Sequence, residues 1–280
     1  MKSFVVSVIQ MNSGSNQLKN LQNARELCLR AKNDKASLIV LPEAFACFAK
    51  ESEKLSLCES LESSLALKFL KDIAIECNSL VLGGSIFIRA SGGNQVYNRS
   101  FLVGQDGSLI QTYDKLHLFD VQLSEKPGDT YQESRLTKAG SELRLATTEL
   151  GTIGMSICYD LRFPELYRSL SRQGALMFAI PSAFTANTGK RHWEVLLRAR
   201  AIENQCFVFA ANQAGTHENG LRTWGHSMIV SPDGRILAEA DSEKADVISA
   251  SVDFSELHAL RKQIPCLTHR RFEEPHLRRT

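Results

Sequence analysis

The chain has 280 residues, of which 43% are hydrophobic and 23% are charged, which is enough material for a substantial buried core. Its formal net charge of +2 is too close to neutral to indicate a nucleic-acid partner or binding to a membrane surface. No stretch approaches the roughly 20 apolar residues of a membrane helix, so we expect a cytoplasmic protein that acts on a small molecule.

Cysteine usage favours a reducing compartment. The chain has seven cysteines, an odd number, and none of them forms a CxxC pair or a zinc-finger spacing with histidine. The apolar run near the N-terminus is interrupted by Ser7 and Gln10 and has no cleavage-site pattern. It therefore predicts a first strand rather than a signal peptide.

The apolar pattern alternates strands with helices along the chain. The predicted elements are a strand at 4–10, a helix with an apolar stripe from Leu18 to Ala31, a strand at 37–41, a helix at 66–77, strands at 80–82 and 86–88, a hairpin of 100–103 with 109–112, a strand at 152–157, a helix from Pro164, a strand at 176–180, a helix near 190–203, a strand at 207–211, and a hairpin of 226–230 with 236–238. The two hairpins turn at Asp-Gly pairs. This interleaving predicts the α/β class with mixed sheets. Because no linker or repeat is visible, we expect one domain over 1–280, with an extended C-terminal tail from about residue 268.

Cys158 is a candidate nucleophile. It lies at the end of a predicted buried strand, before a polar turn and a helix that begins at Pro164. The junction between the carboxyl end of a strand and a helix is where α/β proteins place their sites. Backbone N–H groups of the turn can hold an oxyanion, and the helix dipole is expected to favour a thiolate. A buried structural cysteine is the competing interpretation.

Glu43 and Lys115 also follow predicted strands. Glu43 comes after a buried strand that Pro42 ends, so its carboxylate is placed to act as a general base. Lys115 follows the second strand of a hairpin, where a fixed positive charge can stabilise an oxyanion. Taken singly, a solvated loop glutamate and a surface lysine remain the simpler interpretations.

Three motifs, in their order and spacing, are similar to those of the nitrilase (carbon–nitrogen hydrolase) superfamily: Leu-Pro-Glu43-Ala-Phe, Tyr-Asp-Lys115-Leu-His-Leu-Phe and Ile-Cys158-Tyr-Asp-Leu-Arg-Phe-Pro-Glu. The resemblance spans essentially the whole chain. It implies a four-layer α-β-β-α sandwich, a Glu–Lys–Cys triad, a homodimer, and no metal or organic cofactor. It also implies a second glutamate, best matched by Glu133, although segment 122–129 departs from the family pattern.

The resemblance further implies a mechanism and a branch. Glu43 would take the thiol proton of Cys158, a thioester would follow, and Lys115 with the Tyr159 backbone N–H would hold the oxyanion. The segment Pro-Ser182-Ala-Phe-Thr185 resembles the deaminated glutathione amidase branch, whereas the omega-amidase branch tends to have Pro-Gly-Ala-Phe-Asn. The first branch cleaves its substrate to 2-oxoglutarate and cysteinylglycine.

An anionic substrate of this kind needs cations near the nucleophile. Arg162, four residues after Cys158, is a candidate for binding a carboxylate, and Ser182, Thr185 and Lys190 are further candidates for substrate binding. An ion pair of Arg162 with an acid such as Glu165 is an equal alternative for the arginine. A solvated helix end is the stronger interpretation of Lys190 and its neighbour Arg191.

Other functions stay open at this point. They are omega-amidase activity on 2-oxoglutaramate, hydrolysis of a nitrile or N-carbamoyl substrate by the same triad, and a catalytically idle binding protein. A Cys–His arrangement is a further possibility, with His117 or His192 as the base, although a structural role is the stronger interpretation of both histidines.

Overall fold

The computed structural model describes residues 3–123 and 130–272, which form alternating strands and helices. The strands are β1 Phe4–Gln10, β2 Ala36–Val40, β3 Leu80–Leu82, β4 Ile86–Arg89, β5 Val96–Val103, β6 Leu109–Asp114, β7 Asp120–Gln122, β8 Thr130–Gln132, β9 Leu145–Thr148, β10 Gly151–Met155, β11 Met177–Ala179, β12 Phe207–Ala210, β13 Ala214–Thr216, β14 Arg222–Trp224, β15 Met228–Val230, β16 Ile236–Glu239 and β17 Asp246–Val252. The α-helices are α1 Gln17–Asn33, α2 Lys54–Leu57, α3 Leu65–Cys77, α4 Pro164–Arg172, α5 Ala186–Asn204 and α6 Phe254–Gln263. Short 3₁₀ helices cover Glu51–Glu53, Glu133–Arg135 and Cys158–Arg162.

The first sheet has the strand order β17-β1-β2-β3-β5-β4, with β6 paired to β5. Strands β1, β2 and β3 are parallel, while β17 and β5 are antiparallel to their neighbours. Side chains alternate between its two faces. Val6 and Val8 join the core between the sheets, whereas Ile9 packs with residues of α1 and α3 on the outer face.

The second sheet has the order β16-β15-β12-β11-β10-β9, and β10, β11 and β12 are parallel. Helices α4 and α5 contact β10 and β12, while α1 and α3 contact β2 and β3 of the first sheet. Residues of both sheets share one hydrophobic core. The α-β-β-α sandwich with mixed sheets, predicted from the sequence, is confirmed.

Most predicted elements have counterparts in the structure, including both hairpins. Two details of the sequence interpretation are wrong. Leu18, placed on the buried stripe of the first helix, is 71% exposed because the buried stripe of α1 begins later, at Asn20 and Ala24. His226, taken as a residue of strand 226–230, precedes β15 with a φ of +51° and is half-buried.

Two predicted features fall partly outside the described residues. The tail predicted from about 268 is described only as far as 272, and the divergent segment 122–129 only at 122 and 123. Among the helices within 3–123 and 130–272, none is long and apolar enough to cross a membrane.

Gly84 lets the backbone pass close to the loop that carries Glu43. Its φ is +48°, and a Cβ atom added there would lie 1.9 Å from the carbonyl oxygen of Pro42. No side-chain rearrangement can relieve a contact with backbone. Glycine is therefore needed at this position for the close packing of the two loops.

Candidate active site

The candidate residues meet where strands of the two sheets end. Glu43 lies three residues after β2, and Lys115 directly follows β6. Cys158 begins the short helix after β10, and Glu133 begins another short helix after β8. All four side chains are buried. The sandwich thus brings together residues that are distant in the sequence, because Glu43 and Cys158 are 115 positions apart.

A charged cluster lies at the centre of this site. The Nζ atom of Lys115 lies 3.1 Å from Oε1 of Glu43 and 2.9 Å from Oε2 of Glu133. One ammonium group therefore joins two buried carboxylates. Such a cluster needs further hydrogen bonds to offset the loss of solvation of three charges.

Hydrogen-bond donors outside the predicted set supply those bonds. Asn98 donates from Nδ2 to Oε1 of Glu43 at 2.8 Å and to Oε1 of Glu133 at 3.4 Å. The backbone N–H of Ala183 donates to Oε2 of Glu43 at 2.8 Å, and that of Phe119 to Oε2 of Glu133 at 2.7 Å. Both carboxylates are thereby fixed in orientation.

The electrostatics keep Lys115 and Glu133 ionised. Burial alone would lower the pKa of Lys115, but the carboxylates of Glu133 and Glu43 raise it well above its ordinary value. Burial alone would raise the pKa of Glu133, but Lys115 and then Lys54 lower it. The lysine is therefore a permanent positive charge at neutral pH, and Glu133 is a permanent negative one.

Cys158 has an unusual backbone conformation and a buried thiol. Its φ is +47°, which is uncommon for a residue other than glycine, and its N–H donates to the carbonyl oxygen of Pro181 at 2.8 Å. Strained conformations of this kind cluster at functional sites. The thiol lies beside the Glu43 side chain and the N–H of Ala183, both of which influence its pKa.

The expectation of a thiolate favoured by the helix dipole is wrong for this structure. Burial first, and the Glu43 carboxylate second, raise the pKa of Cys158 well above that of a free thiol, although Lys115 opposes them. The resting state is a neutral thiol beside a carboxylate. A base must therefore remove its proton before it can attack a carbon atom, and Glu43 is in contact with it.

Asp160, which the sequence analysis did not single out, fixes the turn that carries Cys158. Its buried carboxylate accepts from the N–H of Ile157 at 2.8 Å and from the hydroxyl of Tyr113 at 2.7 Å. It also accepts from the N–H of His117 at 3.0 Å and lies 2.7 Å from Nδ1 of the same histidine. Asp160 therefore ties the cysteine turn to the strand and loop that carry Lys115.

The two histidines considered as bases have other partners. The His117 ring stacks on Phe163 at 3.6 Å between centroids and contacts Asp160. Nδ1 of His192 lies 3.1 Å from Nη1 of Arg162. The contacts of the Cys158 thiol favour Glu43 as its base over either histidine.

A cavity of about 560 Å³ opens above the cluster, within the size range of sites for small molecules. Glu43, Lys115, Glu133 and Cys158 all line it. Six aromatic side chains line its walls: Phe48, Phe87, Phe119, Phe184, Tyr131 and Tyr159. A reacting group can therefore reach the thiol in an environment that excludes much of the solvent.

Arg162 and Thr185 line the cavity, as expected of substrate-binding residues. The Arg162 guanidinium lies over the ring of Phe184 at 4.9 Å. Among the described residues its hydrogen-bond partner is the ring of His192, not the carboxylate of Glu165. The side chain of Thr185 pairs with the hydroxyl of Thr188 at 2.8 Å.

Ser182 and Lys190 do not reach the cavity. Ser182 is fully buried, its N–H donates to the carbonyl oxygen of Ala211, and its hydroxyl donates to that of Ile180. Lys190 is exposed on α5, as the solvated-helix interpretation expected. The structure therefore does not support substrate contacts for these two residues.

Tyr159 follows Cys158 in the short helix. Its ring packs edge-on against Phe119 at 5.0 Å and Phe163 at 5.3 Å. As the second residue of a helix, it has a backbone N–H that no carbonyl of the same helix accepts. This N–H and the Lys115 ammonium are the candidates for holding an oxyanion.

The described residues do not include a candidate metal site. Within 3–123 and 130–272, no group of three or more His, Cys, Asp or Glu side chains is arranged to hold a metal ion. The chemistry that the cluster can perform is proton transfer by Glu43, nucleophilic attack by Cys158 and charge stabilisation by Lys115.

Comparison with known proteins identifies the family of the chain. Residues 5–262 match the family described as carbon-nitrogen hydrolase. The chain belongs to the carbon–nitrogen hydrolase family. It is accordingly a hydrolase that acts on carbon–nitrogen bonds other than peptide bonds, and the superfamily resemblance of its motifs is confirmed.

Individual members of the family are similar over nearly the full chain. A protein from Synechocystis sp. named deaminated glutathione amidase is 43% identical over 97% of this chain and 100% of its own length. The mouse protein of the same name is 39% identical over 95% of this chain and 83% of its own length. The crystal structure of Saccharomyces cerevisiae Nit3, described as a member of branch 10 of the nitrilase superfamily, is 31% identical with a TM-score of 0.87 and covers 97% of both chains.

Proposed function

We propose that this hydrolase cleaves the amide of deaminated glutathione to 2-oxoglutarate and cysteinylglycine, with Cys158 as nucleophile. The observation that carries the proposal is the placement of the Cys158 thiol beside the buried Glu43–Lys115 pair in the wall of a cavity of small-molecule size. The choice of substrate is supported by the relatives named deaminated glutathione amidase. A single domain and a homodimer remain predictions.

The first half of the reaction uses Glu43 twice. Its carboxylate takes the proton of the Cys158 thiol while the sulfur forms a bond to the amide carbon. The carbonyl oxygen becomes an oxyanion that accepts from the Lys115 ammonium and the Tyr159 N–H. Glu43 then gives its proton to the amide nitrogen, and the carbon–nitrogen bond breaks. Cysteinylglycine departs, and the acyl group remains bound to Cys158 as a thioester.

The second half repeats these roles with water. Glu43 takes a proton from a water molecule, whose oxygen attacks the thioester carbon, and the same donors hold the new oxyanion. The carbon–sulfur bond breaks, Glu43 returns the proton to the sulfur, and 2-oxoglutarate is released. Glu133 supports this cycle by holding Lys115 in place, since it makes the shorter of the two contacts with that ammonium.

Arg162 binds the 2-oxo-acid carboxylate of the substrate in this proposal. It belongs to the same short helix as Cys158, lines the cavity, and has no carboxylate partner among the described residues. A partly desolvated guanidinium without a counter-ion attracts a carboxylate strongly and can bind it through two parallel hydrogen bonds. Thr185 offers a hydroxyl at the same wall.

The substrate assignment predicts a preference between two amides that share the same acyl group. At low substrate concentration we expect 2-oxoglutarate to be released from deaminated glutathione at least about tenfold faster than from 2-oxoglutaramate, a difference of roughly 1.4 kcal/mol in transition-state binding. The reason is that only the first substrate offers a leaving group that can contact the cavity walls. The measurement is coupled detection of 2-oxoglutarate.

The opposite preference would assign the chain to omega-amidase activity with the same mechanism. Release of ammonia and carbon dioxide from N-carbamoyl compounds, with no 2-oxoglutarate from either amide, would contradict the proposed substrate altogether.

A further inference from the structure

The ionisable residues that line the cavity carry an excess of positive charge beyond the central cluster. Among the described residues they are six cations, Lys50, Lys54, Lys115, Arg135, Arg162 and Arg222, and three acids, Glu43, Glu51 and Glu133. Lys115 is neutralised by two of the acids. Of the remaining cations, Lys54 is paired with Glu51 and Arg222 with Glu243. Arg162 can bind one carboxylate of a substrate, and the positive charge of the other lining residues favours a second negative group elsewhere in the cavity.

Lys54 is the cation among them that is held in place by its surroundings. Only 11% of its side chain is exposed, and its Nζ atom lies 2.6 Å from Oε2 of Glu51. The same ammonium lies over the ring of Phe87 at 4.6 Å, and Phe87 also lines the cavity. An ammonium that has lost most of its water and is oriented by two neighbours binds an anion better than a solvated lysine does.

Glu51 contributes an unused acceptor next to this ammonium. Its Oε2 atom accepts from Lys54, but its Oε1 atom is buried and has no hydrogen-bond partner among the described residues. Glu51 also lines the cavity and 41% of its side chain is exposed, so a donor on a ligand in the cavity can reach this carboxylate. The wall therefore presents an acceptor and a cation side by side.

A peptide carboxyl terminus has the matching groups. Its last residue carries a backbone N–H and a carboxylate that are separated by a single Cα atom. We propose that Glu51 and Lys54 form a subsite for the leaving group, in which the Glu51 carboxylate accepts from the terminal peptide N–H and Lys54 binds the terminal carboxylate. This inference rests on the proposed function, because cysteinylglycine is the leaving group of that reaction.

The subsite explains how one active site distinguishes a peptide amide from a simple carboxamide. Arg162 lies on the helix that begins with the nucleophile, whereas Glu51 and Lys54 lie on the segment that follows the Glu43 loop. The acyl part and the leaving group are thus held by different parts of the chain. Ammonia, the leaving group of 2-oxoglutaramate, would gain nothing from the second of them.

The test compares deaminated glutathione with its C-terminal glycinamide analogue, which has the same shape without the charge. We expect wild-type kcat/KM to be at least about tenfold higher for the carboxylate form. Lys54→Met is expected to reduce this ratio to about one, and Lys54→Arg to retain most of it, because the cation decides it. The ratio is the readout because Lys54 also lowers the pKa of Glu133, so its loss slows every substrate to some degree.

Lys50→Met is the matched control. It removes the same charge from the same wall without touching the Glu51–Lys54 pair, and the preference for the carboxylate form should persist. A wild-type ratio near one, or a ratio that Lys54→Met leaves unchanged, overturns the subsite. Equal loss of the ratio in Lys50→Met would replace it by a general electrostatic effect.

A second measurement separates the subsite from the substrate assignment. If neither deaminated glutathione nor 2-oxoglutaramate releases 2-oxoglutarate, the proposed function has failed, and the subsite is judged without turnover. Alanylglycine should then slow the alkylation of Cys158 by iodoacetamide at concentrations at least about threefold lower than alanylglycinamide does. Equal protection by the two dipeptides would overturn the subsite, and the wild-type protein suffices for the measurement.

Discussion

Replacing Cys158 by alanine is expected to lower the rate of amide hydrolysis by about 10⁴-fold or more. Losses of this order are typical when the nucleophile is removed from a set of catalytic residues that act together. The fold should be retained, because the substitution removes one buried sulfur atom and keeps the backbone donor to Pro181. The measurement is product release at saturating substrate, together with thermal unfolding.

Cys206→Ala is the control for this substitution. Cys206 is also fully buried, but it lies outside the cavity and its thiol donates to the carbonyl oxygens of Ala175 and Asn204. Its replacement should leave the rate within about twofold and cost stability only, as expected for a small buried side chain. Comparable loss in both variants would indicate that the fold, not the nucleophile, had been damaged.

Lys115→Met is expected to reduce both activity and stability. The activity should fall by about 10²–10³-fold, the effect of losing one oxyanion donor. The stability at neutral pH should fall by about 3–5 kcal/mol, because the Glu43 and Glu133 carboxylates lose the ammonium between them. Denaturant unfolding and steady-state kinetics measure the two losses. Lys190→Met, which removes an exposed charge from α5, should change stability by less than about 0.5 kcal/mol.

The stability loss in Lys115→Met should also depend on pH. In the wild type, Lys115 holds the pKa of Glu133 below its unfolded value, so this carboxylate contributes stability that is present above that value and is lost as the pH falls. Without the lysine this contribution disappears, and burial favours the protonated acid. The difference between variant and wild type should therefore be greatest near pH 7 and become smaller towards pH 4. A difference that does not change with pH would contradict the ionised cluster.

The sequence allowed much of the fold to be predicted, because the apolar pattern follows the burial of the two sheets closely. The strand predicted at 4–10 matches β1. Val6 and Val8 are buried on one face of the sheet, and Ile9 is buried on the other. The apolar pattern also placed Glu43, Lys115 and Cys158 at strand ends, and the structure brings them together.

Other features of the site had no signal in a local pattern. Asn98 occupies a strand, and its role depends on two carboxylates that approach it from distant segments. Asp160 was visible only as a polar residue after the cysteine, although four hydrogen bonds converge on it. The high pKa of Cys158 depends on burial in three dimensions, which overcomes the helix-dipole argument that the sequence suggested.

Two residues predicted to bind substrate, Ser182 and Lys190, lie away from the cavity for a similar reason. Ser182 lies three residues after β11, where its backbone pairs with Ala211 and Asn212 and its hydroxyl donates to the carbonyl oxygen of Ile180. Lys190 lies on the helix that begins at Ala186, and the rotation of that helix places it towards solvent. Spacing along the chain cannot determine either orientation.

The most direct test of the account is the mass of the protein during turnover. Wild-type protein quenched in acid should carry the acyl part of the substrate on the peptide that contains Cys158. The same added mass is expected from deaminated glutathione and from 2-oxoglutaramate, because the two share that acyl group, and Cys158→Ala should not acquire it. An acyl group mapped to any other residue, or hydrolysis at the wild-type rate in Cys158→Ala, would contradict the thioester mechanism.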